Sequence, residues 1–288
     1  IDGITEQRRE KIRKIRSLGI DPFPHRYHRS HTNKEAIALF ERDDCTPQVS
    51  LAGRIMAYRT MGKATFIDVR DYSGKIQAYF RSNLLGDKYE LLKELDIGDI
   101  IGMSGEMFRT HSGEATLKVN DFAILSKSLQ PLPEKWHGLT DVEKRYRQRY
   151  LDLISSEEVN RIFMVRSKAI ASIRRFLNGR GFIEVETPVL HRTAGGALAR
   201  PFTTHHHALD QNLYLRIATE LYLKRLVSGG FDKVDEIGRI FRTEGISTKH
   251  NPECTMLESY EAYIDYNYVM SMTEELVFYV IKNGLRKT

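Results

Sequence analysis

Apolar residues follow two different periods along this chain. From Val49 to Ser126 they recur in short β-rich runs, Val49–Tyr58, Thr65–Asp71, Lys75–Arg81, Asp99–Phe108 and Ala115–Leu125, which predicts five strands. Asp71-Tyr72-Ser73-Gly74 and His111-Ser112-Gly113 are hairpin signals, and Leu84–Leu95 reads as a helix between the third and fourth strands. Ahead of the strands, Ile4, Ile12, Ile15 and Leu18 recur at near-helical spacing as far as Gly19, before the turn Asp21-Pro22-Phe23-Pro24. Beyond Pro131, Pro133 and Gly138 helices and strands mix. A helix over Glu157–Asn178 sets Ile162, Val165, Ala169, Ile173 and Phe176 on one side and stops at Asn178-Gly179-Arg180-Gly181. Strands are predicted at Phe182–Val185, Asn212–Ile217, Lys233–Thr243 and Met256–Asp265, and helices at Glu220–Ser228, opened by Thr219, and Val269–Asn283.

These elements predict an α+β protein. Five strands with a helix after the third follow the order of an OB-fold β-barrel, a spacing that other five-stranded barrels share. The expected organisation is a helical extension over residues 1–48, the barrel over 49–126, a linker over 127–143 that holds Trp136 as a packing plug, and a second domain over 144–288.

Composition narrows the class. With 288 residues, 41% hydrophobic and 28% charged, the chain is long enough for two cores. No window approaches the ~18 consecutive apolar residues of a membrane span, and the first residues lack the regions of a signal peptide. A soluble, cytoplasmic protein with no membrane partner is expected. Cys45 and Cys254 stand far apart, which argues against a disulfide framework. No metal site is expected: in His205-His206-His207 consecutive strand residues face opposite ways, and no Cys or carboxylate lies at ligand spacing. The net charge of +6 is concentrated in the first thirty residues, where eight Lys/Arg stand against four acids. A solvated helix face would explain this, as would a nucleic-acid partner.

The barrel strands favour the latter. Arg54, Arg59 and Lys63 supply charge for phosphates and Phe66 offers a ring on which a base can stack, while Gln77 and Glu114 could read base edges. Each residue alone is compatible with an ordinary strand; together they favour single-stranded RNA or DNA.

In the second domain, strand alternation puts Arg242 and Glu244 on one face and Met256, Glu258 and Tyr260 on one face of the returning strand, with Lys249, His250 and Asn251 in the loop between. A guanidinium, two carboxylates and a phenol suit a zwitterionic, phosphate-bearing substrate. The same set is also compatible with a sheet edge laced with salt bridges. No glycine-rich phosphate loop occurs, so a nucleotide would be held by side chains and a sheet.

Phe182-Ile183-Glu184-Val185-Glu186-Thr187-Pro188 resembles motif 1 of the class II aminoacyl-tRNA synthetases, and Phe241-Arg242-Thr243-Glu244 with Pro252–Tyr260 resembles motif 2. Arg216–Arg225, with its Thr-Glu-Leu-Tyr-Leu-Lys run, Gly195-Gly196-Ala197 and Tyr146–Leu153 are similar to the lysyl-tRNA synthetase family within that class. The resemblance implies an antiparallel-sheet catalytic domain that activates lysine with ATP and transfers it to tRNA(Lys). It implies that Arg242 binds the α-phosphate and the lysine carboxylate, that Glu220, Glu258 and Gly196 hold the α-ammonium, and that Tyr260 meets the side-chain ammonium. Glu244, His250 and Asn251 would contact adenine and the outer phosphates, Met256 the base, and Arg54, Phe66, Gln77 and Glu114 the anticodon. Arg242, Glu244 and His250 make up the implied catalytic set. A homodimer through the long helix and motif 1 is also implied.

The chain departs from the family pattern at Cys254, where an aromatic residue is usual, and at Thr243, where Asn is usual. It lacks motif 3 and the downstream acids, so no metal ligand is expected within the chain and those for Mg²⁺ are expected beyond residue 288. With Ile1 at its start and Thr288 directly after a helical pattern, the chain reads as an N-terminal piece, inactive alone. Two alternatives stay open: a non-catalytic tRNA-binding module, and an aspartyl or asparaginyl synthetase.

Overall fold

The computed structural model describes residues 2–43, 46–133, 139–243, 245 and 250–284. Glu244, Lys249, Trp136 and Cys45 lie outside them. The chain divides into two compact units, Ile1–Ser155 and Ser156–Thr288.

In the first unit, helices α1 (Asp2–Ser17) and α2 (Asn33–Asp43) precede strands β1 (Gln48–Met61), β2 (Ala64–Arg70) and β3 (Lys75–Arg81). The short helix α3 (Ser82–Leu85), a 3₁₀ segment over Gly86–Glu94, β4 (Ile100–Arg109), β5 (Ala115–Ser126), α4 (Val142–Arg147) and α5 (Arg149–Ser155) follow. The strands close as a barrel in the order β1-β2-β3-β5-β4, with β3 and β5 parallel and the other pairs antiparallel. Inward residues at period two, among them Leu51, Ile67, Val69, Ile76, Phe80, Ile101, Met103 and Leu117, form the core, and Leu91, Leu92 and Leu95 also pack into it. Closure needs a close approach at Gly105, beside the irregularity in the β4–β5 ladder, where a Cβ would strike the Lys118 carbonyl.

Three local expectations change. The helix expected over Leu84–Leu95 is a four-residue α-turn and a 3₁₀ run, because Gly86 takes φ 54 at the junction. Helix α2 was not foreseen although its capping box is present: Thr32 N donates to Glu35 Oε2 at 2.8 Å and Glu35 N to Thr32 Oγ1 at 3.3 Å. The basic face of α1 is largely engaged by the protein itself. Arg8 donates to the Ser128, Gln130 and Ile97 carbonyls, Lys11 pairs with Asp96 and Lys14 with Glu94, while Arg9 and Arg13 pair with Glu6 and Glu10 on the same helix. Arg8, Lys11 and Lys14 thus fasten α1 to the barrel, while Arg9 and Arg13 stay on its exposed side. Residues 127–130 are pinned as well, since Lys127 is buried between Asp96 and Asp99 and Ser128 N donates to Asp99.

The second unit holds α6 (Glu157–Gly179), β6 (Ile183–Glu184), β7 (Leu190–His191), β8 (Thr203–His206), β9 (Gln211–Leu215), α7 (Glu220–Ser228), β10 (Lys233–Phe241), β11 (Glu253–Glu261) and α8 (Tyr266–Gly284). Helix α6 starts where Ser156 Oγ accepts from Val159 N, with Glu157 and Glu158 in its first turn, and ends on Gly181 at φ 80 as Phe182 N reaches the Leu177 carbonyl. Two three-stranded sheets form, β11-β10-β6 and β7-β9-β8. Phe176, Leu177, Phe182 and Met272, with Ile173, Leu257, Leu276 and Tyr279, join α6, α8 and β11 in one core. Of the expected α6 stripe only the C-terminal part is buried; Ile162 and Val165 are 57% and 38% exposed.

Candidate active site

Strands β10 and β11 are antiparallel, with Val234 opposite Tyr260, Glu236 opposite Glu258, Gly238 opposite Met256 and Ile240 opposite Cys254. Opposed residues share a face, so Met256, Glu258 and Tyr260 project together, as their period requires, and Cys254 joins them. Helix α7 begins beside this face. Thr219 N donates to Glu258 Oε1 at 3.0 Å. The Tyr260 phenol is pushed up to about 12 by burial and by the carboxylates of Glu220 and Glu258, and it bonds to Glu258 as a neutral hydroxyl. Lys224 Nζ bonds to Glu220 Oε1 at 2.6 Å and lies 5.9 Å from the Tyr260 ring centroid.

Gly196 completes this corner. Its φ of 90 suits glycine, and a Cβ there would stand 3.1 Å from the Ala218 Cβ and 3.2 Å from the Glu220 Cβ. Arg242 follows β10; its Nε donates to the Ile217 carbonyl at 3.2 Å and its backbone N to the Pro252 carbonyl. His250 and Asn251 are exposed beyond the hairpin. The structure thus brings Gly196, Glu220, Glu258 and Tyr260 together, with Arg242 anchored on the 216–219 segment. Two carboxylates and a phenol can take up ammonium groups, and a guanidinium can neutralise a carboxylate or phosphate.

Residues with no local signature support the site. Arg216, 3% exposed, forms an ion pair with Glu236, 2% exposed, which Thr187 also contacts. On the opposite face of β10, Asp235 is 1% exposed, adjoins Glu184 of β6, and has an Oδ1 without a hydrogen-bond partner. Burial and Glu184 push its carboxyl from 3.8 up to about 6, against Arg174. A raised native value means that the proton stabilises the fold: the contribution is complete below about pH 4 and is lost as the pH rises through 6. Asp235→Asn should therefore raise stability at pH 7.5 by up to about 3 kcal/mol and change it little at pH 4. Denaturant unfolding at the two pH values checks this; equal effects at both would contradict it.

The outer face of the barrel carries an aromatic row. Phe66 lies 4.9 Å from Tyr79, and Tyr79 5.9 Å from Phe108, centroid to centroid. Asp68, next along β2 on this face, binds Arg59 at 3.1 Å and Lys75 at 3.4 Å. Gln77 Nε2 donates to Glu114 Oε2 at 3.0 Å and Gln77 Oε1 accepts from Thr116 Oγ1 at 3.1 Å, so these two expected readers form one unit. Arg54 stands apart, its guanidinium on the Gly98 carbonyl at 2.7 Å. Burial pushes its pKa down, with the nearby Arg70 adding to the effect. Tyr79 and Phe108 escaped the sequence reading, although their alternation with buried neighbours on β3 and β4 marks them as outward residues. Among His205–His207, His205 binds Asn212 and His206 caps the turn at Leu209; no group of described residues could hold a metal ion.

Comparison with known proteins agrees with this geometry. Residues 49–125 match the family described as OB-fold nucleic acid binding domain, and residues 141–288 the family described as tRNA synthetases class II (D, K and N). The chain is 56% identical over 285 residues to a lysine–tRNA ligase of Dehalococcoides mccartyi, covering 97% of this chain and 57% of that protein. It is 57% identical over 287 residues to one of Carboxydothermus hydrogenoformans, covering 99% and 58%, and 52% identical over 288 residues to one of Bacillus cereus, covering 98% and 58%. The chain thus spans somewhat more than half the length of these relatives. With the barrel face, the acidic corner and Arg242 all falling inside the matched segments, the chain belongs to the class II tRNA synthetases of the D, K and N group.

Proposed function

We propose that this chain is part of a lysine–tRNA ligase, which activates lysine with ATP to lysyl-adenylate, releasing pyrophosphate, and passes the lysyl group to the 3′ end of tRNA(Lys), releasing AMP. The observation that carries the reading is the acidic corner: Glu220, Glu258 and the neutral phenol of Tyr260 converge where Arg242 is anchored. Lysine brings two ammonium groups and one carboxylate to such a site. Arginine would hold the carboxylate and the α-phosphate together. A carboxylate oxygen attacks the α-phosphorus, the bond to pyrophosphate breaks, and the guanidinium neutralises the charge that builds. No side-chain nucleophile is needed. Gly196 would leave room for the α-ammonium beside Glu220, Met256, which shares the face of Glu258, would meet the adenine, and the exposed Asn251 and His250 would meet the outer phosphates.

Magnesium would supply charge neutralisation of the phosphates in this family; the described residues form no donor set for it. The aromatic row with Arg59, Gln77 and Glu114 is read as the anticodon-binding face. Arg54, held by Gly98, stands apart from that row. The exposed apolar residues of α6, Ile162 to Val165, and Ile183 of motif 1 are read as the homodimer surface. No helix among the described residues is long and apolar enough to cross a membrane.

Amino-acid-dependent ATP–pyrophosphate exchange by the protein that carries this chain tests the substrate. Lysine should support exchange at least roughly 100-fold better than aspartate or asparagine, because a site built of carboxylates leaves an acidic or neutral side chain unpaired. Exchange driven by aspartate or asparagine would assign the site to a sister activity.

A further inference from the structure

The 216–219 segment touches both charged groups of the proposed lysine pocket through its backbone. The Ile217 carbonyl accepts from Arg242 Nε at 3.2 Å, and Thr219 N donates to Glu258 Oε1 at 3.0 Å. What fixes this segment is a buried network at its start. Arg216 Nε donates to the Arg239 carbonyl at 2.8 Å, and Nη1 reaches the Thr187 carbonyl and hydroxyl, each at 3.2 Å, besides pairing with Glu236. The Thr187 hydroxyl in turn donates to Glu236 Oε2 at 2.6 Å, and Thr187 N to Glu236 Oε1 at 3.3 Å. On the backbone, Arg216 N donates to the Val189 carbonyl and its own carbonyl accepts from Phe241 N. The guanidinium lies so close over Gly238 that a Cβ there would collide with it.

We infer that Arg216, Glu236 and Thr187 are positioning residues that fix Arg242 and Glu258 for the amino acid; this rests on the reading of the corner as the lysine pocket. A buried ion pair is poor evidence for stability, since apolar residues of similar volume often serve as well. Its geometry here has a definite effect. Glu236 stands directly opposite Glu258 on the sheet, and Arg216 neutralises it, which leaves Glu258 as the carboxylate that meets an incoming ammonium, with Glu220 beside it paired to Lys224. Thr187 belongs to the segment that leads from β6 to β7, so the network also ties that segment to the pocket.

Thr187→Val keeps the shape and removes the hydroxyl, whereas Thr187→Ser keeps the hydroxyl. In the intact protein, Thr187→Val should raise the KM for lysine in pyrophosphate exchange by about fivefold or more with the KM for ATP within about twofold, and Thr187→Ser should restore it. Hydrogen exchange at the Thr219 amide should be about tenfold faster in Thr187→Val. Equal shifts in both KM values, failure of Thr187→Ser to rescue, or an unchanged Thr219 amide would overturn the positioning role. If Thr187→Val does not fold, Arg216→Lys, which keeps the charge but loses the fork, is read by the same measurements. Absence of exchange with lysine in the unmodified protein would count against the lysine reading alone, and the Thr219 amide would still decide the role of the network.

Discussion

Arg242→Ala should lower lysine-dependent ATP–pyrophosphate exchange on the order of 10²- to 10³-fold, the loss typical of removing one group aimed at transition-state charge. Among the described residues the guanidinium is anchored through Nε on the Ile217 carbonyl, and its two terminal nitrogens would grip a carboxylate and a phosphate oxygen. Arg242→Lys should recover little, because an ammonium cannot both hold that carbonyl and present two parallel donors. Folding should be nearly unaffected, since the side chain is only half-buried. Exchange within about threefold of the unmodified protein would remove Arg242 from this role.

The second large effect is expected on the barrel. Phe66→Ala should weaken binding of a tRNA(Lys) anticodon stem-loop by roughly 1–3 kcal/mol, or about 5- to 150-fold in Kd, the range for loss of one stacking ring. Phe66 is outward and half-buried, packed on Tyr79 rather than in the barrel interior, where Ile67 and Val69 sit. Its loss should therefore leave pyrophosphate exchange nearly intact. Equal losses in tRNA binding and exchange would show that Phe66 serves packing alone.

The barrel was legible because alternation of apolar residues is a local signal, and the closed order β1-β2-β3-β5-β4 follows from five such runs with a connecting segment after the third. The corner of Glu220, Glu258 and Tyr260 was legible for a mixed reason: alternation placed Glu258 with Tyr260, and family resemblance supplied Glu220 and Gly196. The pairing of Lys11 and Lys14 of α1 with Asp96 and Glu94 was not legible, because those partners lie some 80 residues away and only the fold brings them together. The Arg216–Glu236–Thr187 network was missed for the same reason, each member reading alone as an ordinary polar residue. The two-residue strand β7 is too short to show a period, and the 3₁₀ segment differs from a helix mainly by the backbone of Gly86.

Charging of tRNA by the intact protein tests the proposed activity most directly. Incubated with ATP, labelled lysine and a panel of tRNA transcripts, it should attach lysine to tRNA(Lys) and leave tRNA(Asp) and tRNA(Asn) uncharged. Attachment of aspartate or asparagine, or no attachment of lysine by a folded, ATP-supplied protein, would contradict the assignment.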